Sequence, residues 1–273
     1  MKKIVFTKVV ASGNDFIVID QSYPLSAIRY PLLVKQICDR KFGVGADGLL
    51  LLEKSKKADV RMRIFNADGS EARMCGNGAR CVAFYASSRL KTQGSRPKIE
   101  TKAGIIEAEV KAESVRIKLT KPEDYRPDLI IKINNRKLRV NFINTGVPHA
   151  VIFVAGINKI NAAEIGRAVR YHKGFAPKGA NVNFVEAVDK DTIRLRTYER
   201  GVEGETLACG TGSVASAIVF SCQLSAVSGQ QKINVITQGG ETLKVCFMKE
   251  ADRISDVWLE GKVRIVYGGE YYV

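Results

Sequence analysis

Histidine is nearly missing: the 273 residues hold two, His149 and His172, and no Cys-x-x-Cys pair occurs. A structural zinc site needs four closely spaced Cys or His ligands, so no metal centre is expected. Cysteine is sparse as well. Cys38, Cys75, Cys81, Cys209, Cys222 and Cys246 are too few and too scattered for a disulfide framework, which points to a reducing compartment. No secretory leader is visible, because only Ile4–Phe6 is apolar between Met1-Lys2-Lys3 and Lys8; a cytoplasmic location is expected. Long apolar runs are absent. Residues 206–231 carry no charge, yet their apolar part, Val214–Phe220, is far short of a membrane span. That stretch reads as a helix buried inside the protein, with no membrane partner. Acidic residues are outnumbered, 28 against 43 Lys plus Arg, for a net charge of +15. The excess is diffuse. Its densest runs, Lys54-Ser55-Lys56-Lys57 and Arg136-Lys137-Leu138-Arg139, lack the interleaved aromatics of a single-strand binder, and no zinc-finger, RNA-recognition or helix-turn-helix signature occurs. Nucleic acid is therefore not the expected partner.

What is present is a repeat. Cys75-Gly76-Asn77-Gly78 returns as Cys209-Gly210-Thr211-Gly212, 134 residues later. The same offset links Glu71 to Glu205, Gly45-Ala46-Asp47 to Gly179-Ala180-Asn181, and Asp15 to His149. A shared offset near half the chain length argues for duplication of one domain. Each half reads mainly as strands. The first has Lys3–Thr7, Phe16–Asp20, Leu49–Glu53, Val60–Phe65 and Ile105–Val110; the second has Ala150–Val154, Val182–Val185, Ile193–Tyr198, Ile233–Thr237 and Thr242–Phe247. Helices are predicted at Ala79–Leu90 and Val214–Leu224, apolar around most of their circumference, as suits a helix wrapped by a sheet. The expectation is an α+β fold of two pseudo-symmetric domains, each a curved, mostly antiparallel sheet around a central helix. Domain one covers 1–122 and domain two 123–262, with the boundary where Pro122 and Pro127 cluster with charges; a final strand at about 263–273 can return to domain one. The matched cysteines are then candidates to face each other across an interdomain cleft.

Each of these cysteines opens a helix at a glycine-rich turn. First-turn N–H groups have no intrahelical partner and the dipole is positive there, so thiolate and a substrate carboxylate are both stabilised. Two such units around one carbon would let one thiolate remove a proton while the opposite thiol delivers one, inverting the centre. Cys38, Cys81, Cys222 and Cys246 lack this context and read as small core residues. His172 belongs to no motif and reads as structural or exposed.

These segments resemble the diaminopimelate epimerases, cofactor-independent two-cysteine amino-acid racemases. The resemblance rests on Ala11-Ser12-Gly13-Asn14-Asp15-Phe16, Asp39-Arg40-Lys41-Phe42-Gly43-Val44-Gly45-Ala46-Asp47, Phe65-Asn66-Ala67-Asp68-Gly69-Ser70 and Met74-Cys75-Gly76-Asn77-Gly78-Ala79-Arg80-Cys81. It continues through Pro148-His149, Asn181-Val182-Asn183-Phe184 and Tyr198-Glu199-Arg200-Gly201, on to Ala208-Cys209-Gly210-Thr211-Gly212. It implies interconversion of LL- and meso-diaminopimelate for lysine and peptidoglycan synthesis, with Cys75 and Cys209 as acid and base. It implies that Gly76, Asn77, Gly210 and Thr211 hold the reacting carboxylate. Asn14, Asn66, Asn181, Glu199 and Arg200 would line the rest of the substrate, with His149 and Glu199 near the reacting centre. It implies no metal and no pyridoxal phosphate, and leaves a homodimer open.

Three departures stand out. Gly48 replaces a usual Gln, Val147 a usual Asn, and one extra residue lies within Gly201-Val202-Glu203-Gly204. Lost polar partners weaken discrimination, so an alternative is a broader racemase that also accepts a shorter amino acid such as glutamate. Two rivals come from other classes. A cysteine hydrolase pairing Cys75 with His149 would form an acyl-enzyme but leaves Cys209 unexplained. A non-catalytic ligand-binding module would not need both cysteines. Gly43-Val44-Gly45-Ala46-Asp47-Gly48 fits the dinucleotide fingerprint, but strand-like Leu49–Leu52 follows it where a helix is required.

Overall fold

The computed structural model describes residues 3–20, 30–90, 96–224, 228–251 and 253–273. The chain divides into two compact units. The first is Met1–Ile117 with Glu260–Val273, and the second is Lys118–Leu259.

In the first unit, Arg264–Tyr272 pairs antiparallel with Lys3–Ala11, which pairs with Asn14–Asp20. Asn14–Asp20 runs parallel to Gly48–Glu53, and helix α1 (Tyr30–Cys38) lies between them in sequence. Val60–Asn66 follows antiparallel, pairs with the short Glu71–Ala72, and runs parallel to Lys98–Thr101. Helix α2 (Gly76–Leu90) lies between those last two strands in sequence, and Gly104–Lys111 and Ser114–Lys118 complete the run.

The second unit repeats this plan. Glu123–Ile133, Arg136–Asn144 and Pro148–Phe153 form an antiparallel run, and Pro148–Phe153 is parallel to Asn181–Ala187 around helix α3 (Ala162–Arg170). Thr192–Glu199 pairs with Gly204–Thr206 and runs parallel to Gly229–Ile236, with helix α4 (Gly210–Gln223) between. The register repeats as well. Phe16 stands opposite Gly48, and Ala150 opposite Val182, both 134 residues on. The fold is therefore α+β, and the duplication seen in sequence is a duplication of topology.

Burial explains why the central strands read as unbroken apolar runs. Phe16–Ile19 and Leu49–Leu52 are buried throughout. Ile17, Ile19, Leu49 and Leu51 pack with Leu33, Val34 and Ile37 of α1. A Cβ on Gly78 of α2 would touch Leu50, so the alternate residues meet the other helix. A strand covered on both faces has no polar face to show. Each buried leucine contributes about 1.5–3 kcal/mol over an exposed one. In the second unit, Ile152, Val182 and Phe184 pack with Ala162 and Val169 of α3.

Helix α4 is buried from Gly212 to Ser221, and no helix among the described residues is long and apolar enough to cross a membrane. Buried Lys249 donates to the Ser221 carbonyl at 2.8 Å, satisfying the end of that helix. Helices α1 and α3 are additions to the sequence reading. For α3 a signal exists: Asn161 Oδ1 accepts from the Glu164 N–H at 3.2 Å and its Nδ2 donates to Glu164 Oε2 at 2.9 Å, a reciprocal cap. The stretch around Pro127 is a strand, Glu123–Ile133, whose pairing with Arg136–Asn144 slips in register twice. Asp124 and Asp128 there have φ near +50°, and such bulges are where a strand tolerates proline.

Candidate active site

The two helix openings are built alike. Cys75 immediately precedes α2, its carbonyl accepts from the Ala79 N–H at 2.8 Å, and its Sγ accepts from the Gly78 N–H at 3.4 Å. Cys209 is the extended N-cap residue of α4, and its carbonyl accepts from the Ser213 N–H at 2.9 Å. Its Sγ lies 3.6 Å from the Thr211 hydroxyl. Cys75 is half-buried; Cys209 is 6% exposed. Gly76 and Gly210 are the first helical residues, so each sulfur sits beside the unsatisfied N–H groups of a helix start. Of the other cysteines, Cys38 and Cys81 are buried and Cys222 and Cys246 half-buried. Burial pushes the Cys38 thiol up to about 12, which leaves it inert near neutral pH.

The glutamates four residues before each cysteine are clamps. Arg63 grips Glu71 through Nε–Oε1 at 2.9 Å and Nη2–Oε2 at 3.1 Å. Arg196 grips Glu205 the same way at 2.6 and 2.7 Å. The Arg63 fork holds the Glu71 carboxyl down to about 2. Each fork ties the short strand leading into a cysteine to the strand beside it.

Around Cys75 the structure brings Asn14 and Asn77 together, with Asn77 Nδ2 donating to Asn14 Oδ1 at 2.6 Å. Asn14 Nδ2 donates to Asp47 Oδ2 at 3.0 Å, and Arg80 Nη2 donates to Asn77 Oδ1 at 2.7 Å and Ser12 Oγ at 2.6 Å. Ser12, Asp47 and Arg80 lie inside the matching segments, but sequence reasoning does not single them out. Asn66 ends its strand, exposed, and donates to the Ser70 hydroxyl at 2.9 Å. Gly48 faces Asn66 across the ladder, and a Cβ there would lie 2.5 Å from the Phe65 carbonyl oxygen. Backbone already fills the place where a side chain would begin, so Gly48 leaves no gap.

Around Cys209, Asn181 Oδ1 accepts from the Arg200 N–H at 2.8 Å and its Nδ2 donates to the Pro148 carbonyl at 3.4 Å. The half-buried Glu199 accepts from the Thr206 hydroxyl at 3.0 Å, and burial raises its carboxyl above the ordinary value. Arg200 Nη1 donates to the Lys178 carbonyl at 3.3 Å. Thr145 donates to the Thr211 carbonyl at 3.0 Å. His149 is fully buried, and burial, with the charge of Arg200, lowers it to about 3; it is neutral. Asn183, also missed from sequence, lies 3.0 Å from its ring. Gly201–Gly204, with its extra residue, is a turn in which Val202 is exposed and Glu203 has φ 56°. His172 is structural: its Nδ1 accepts from the Gly174 N–H at 3.1 Å. No cluster of metal-ligating side chains occurs among the described residues.

Comparison with known proteins gives the family. The family profile described as diaminopimelate epimerase matches residues 6–123 and 141–265. The diaminopimelate epimerase of Methanocella arvoryzae is 44% identical, covering 99% of this chain and 97% of the relative. That of Aquifex aeolicus is 42% identical, covering 97% and 96%. Among solved structures, a phenazine biosynthesis protein of the PhzF family from Bacillus anthracis shares the fold, with a TM-score of 0.76 at 18% identity over 100% of both chains. Matched at both cysteine helices and over nearly its whole length, the chain belongs to the diaminopimelate epimerase family.

Proposed function

We propose that this protein interconverts LL- and meso-diaminopimelate by two-base proton transfer at the α-carbon, in the synthesis of lysine and peptidoglycan precursor. Cys75 and Cys209 serve as the acid/base pair on opposite faces of that carbon. The observation that carries the reading is the paired construction: two cysteines, each at the start of a helix whose first residue is glycine.

One sulfur, as thiolate, takes the α-proton. The C–H electron pair moves into the carboxylate, giving an enediolate-like state. The other sulfur, as thiol, gives its proton to the opposite face and becomes the thiolate. Proton count is conserved, and the enzyme ends with its protonation states exchanged. The α-hydrogen beside a carboxylate is a weak acid, so the developing oxyanion needs aimed donors. The first-turn N–H groups at Gly76, Asn77, Gly210 and Thr211 supply them without reorganising at the moment of reaction. Asn14, Asn66, Asn181, Glu199 and Arg200 hold the remainder of the substrate, Arg200 as a carboxylate fork. His149 and Glu199 stand near the reacting centre in support. Both proton carriers are sulfur, so the scheme calls on neither a metal nor pyridoxal phosphate.

The test is exchange. Reduced protein is incubated with LL-diaminopimelate in D₂O and α-deuterium is followed by NMR, with Cys75→Ser and Cys209→Ser alongside. Deuterium entry and meso product in the parent, lost with either substitution, are expected. No exchange in the parent would overturn the reading. L-glutamate run in parallel decides the shorter-substrate alternative.

A further inference from the structure

A guanidinium stands behind Asn77 with no exposure to solvent: Arg80 is 0% accessible. Burying a cation costs several kcal/mol unless hydrogen bonds offset it. The fold does not require one here. The equivalent position in α4, 134 residues on, is Val214, 1% exposed, and α4 packs in its own unit without a charge at that place. The neighbours of Arg80 are exchanged with it. Ser12, Asn14 and Asn77 correspond to Gly146, Pro148 and Thr211. The group is present in one half of the duplication and absent as a whole from the other.

Its hydrogen bonds run in one direction. A guanidinium only donates, so Asn77 must turn Oδ1 toward Arg80, at 2.7 Å. That leaves Asn77 Nδ2 to donate to Asn14 Oδ1, at 2.6 Å. Asn14 Nδ2 then donates to the Asp47 carboxylate, which only accepts, at 3.0 Å. Both amides are oriented by a cation at one end and an anion at the other. Both amide oxygens are engaged, and each amide nitrogen keeps one further hydrogen. Those remaining hydrogens are donors whose direction the two charged ends fix.

We propose that Arg80 is a positioning residue that acts through Asn77 to fix the polarity of both amides, so that each keeps an N–H to offer a carboxylate oxygen of the substrate. The proposal rests on the substrate site assigned above, in which Asn14 and Asn77 line the ligand. Two substitutions separate the cases. Arg80→Lys keeps a donor-only cation behind Asn77, whereas Arg80→Gln puts an amide there and lets Asn77 turn over.

The experiment reads the side-chain amide signals of Asn14 by NMR in protein labelled with ¹⁵N-asparagine, assigned with Asn14→Ala. Asn14 is linked to Arg80 through Asn77, and Ser12, which also accepts from Arg80, stands two residues before it, so Ser12→Ala is run alongside as the control for a disturbance carried by the chain. In the parent and in Arg80→Lys its two protons are expected to be well dispersed and slow to exchange. In Arg80→Gln they are expected to collapse toward free-amide positions. Asn77→Asp, which keeps an acceptor for Arg80 but cannot donate to Asn14, should collapse them too and serves if Arg80→Gln does not fold. Unmoved Asn14 signals in either folded variant would overturn the proposal. Kinetics supply the second arm: Arg80→Gln should raise KM roughly tenfold or more with a smaller change in kcat, and should cost little further in an Asn77→Ala background. Additive losses would count against it. The NMR arm needs no turnover, so a parent inactive on diaminopimelate would sink the functional reading and leave this one still decided.

Discussion

Asn183 fixes the tautomer of His149. Its Nδ2 lies 3.0 Å from His149 Nδ1 and 3.3 Å from the Ala150 carbonyl, while its Oδ1 accepts from the Thr197 hydroxyl at 3.0 Å. A carbonyl only accepts, so the nitrogen of Asn183 faces Ala150 and the ring alike. His149 Nδ1 is therefore the acceptor, and the proton of the neutral ring sits on Nε2. That atom is buried with no hydrogen-bond partner among the described residues. Removing Asn183 takes a hydrogen-bond partner from three groups at once. Asn183→Ala is expected to cost about 1–3 kcal/mol in urea unfolding and to shift the ¹⁵N signals of the ring away from the Nε2–H pattern.

The same histidine gives a pH dependence of stability. Its folded value of about 3 lies below the unfolded value of 6.5, so between the two the unfolded chain binds the extra proton. Stability is then fully present above about pH 6.5 and falls as pH drops toward 3, at up to about 1.4 kcal/mol per pH unit from this one group. His149→Asn should flatten that part of the curve, measured as urea midpoints from about pH 7 to about pH 4. An unchanged slope would mean that the ring is not held neutral.

Glu71 is expected to matter for folding and not for proton transfer. With its carboxyl at about 2 in the folded state against 4.5 for the free group, it stabilises above pH 4.5 and loses that contribution as pH falls toward 2. Glu71→Gln should lower Tm near neutral pH by a few degrees, with the gap closing at about pH 2–3. Its deuterium exchange rate should stay within about threefold of the parent; a collapse comparable to Cys75→Ser would show a direct role in the chemistry.

The second glycine of each Cys-Gly-x-Gly should respond unequally to alanine. At Gly212 a Cβ would lie 2.4 Å from Asn183 Oδ1 and 3.3 Å from Cys209 Sγ, and Asn183 is pinned by its three partners. At Gly78 the nearest atoms, at 3.0 and 3.3 Å, are the ends of Leu50 and Ile64, which can turn aside. Gly212→Ala is expected to slow exchange about a hundredfold, since misplacing a reacting group by about 1 Å costs that much, and Gly78→Ala far less. Equal losses would contradict the packing described.

What can be read from the sequence is what repeats or runs on. Phe16–Ile19 and Leu49–Leu52 declare themselves because both faces are covered, and the cysteine turns because the duplication writes them twice. Helix α1 escapes although Leu33, Val34 and Ile37 are spaced for one buried face and Pro31 suits a first turn. The strand Glu123–Ile133 is masked by Pro127, because bulges are invisible in a one-dimensional pattern. The polar chain from Arg80 to Asp47 joins residues up to 63 positions apart, and no local spacing encodes it. The matched glutamates are legible, but their partners Arg63 and Arg196 sit on neighbouring strands and emerge only from strand pairing.

The ladder between Lys3–Ala11 and Arg264–Tyr272 also imposes a schedule on birth at the ribosome. The first of these strands emerges long before the second. At about 5–20 residues per second it waits roughly 10–50 s for that partner. Every strand of the second unit up to Thr242–Glu250 is made within that interval. The half carrying Cys75 is thus begun before the other and completed after it, and a chain lacking Arg264–Tyr272 would lose the closing strand of the half it started with.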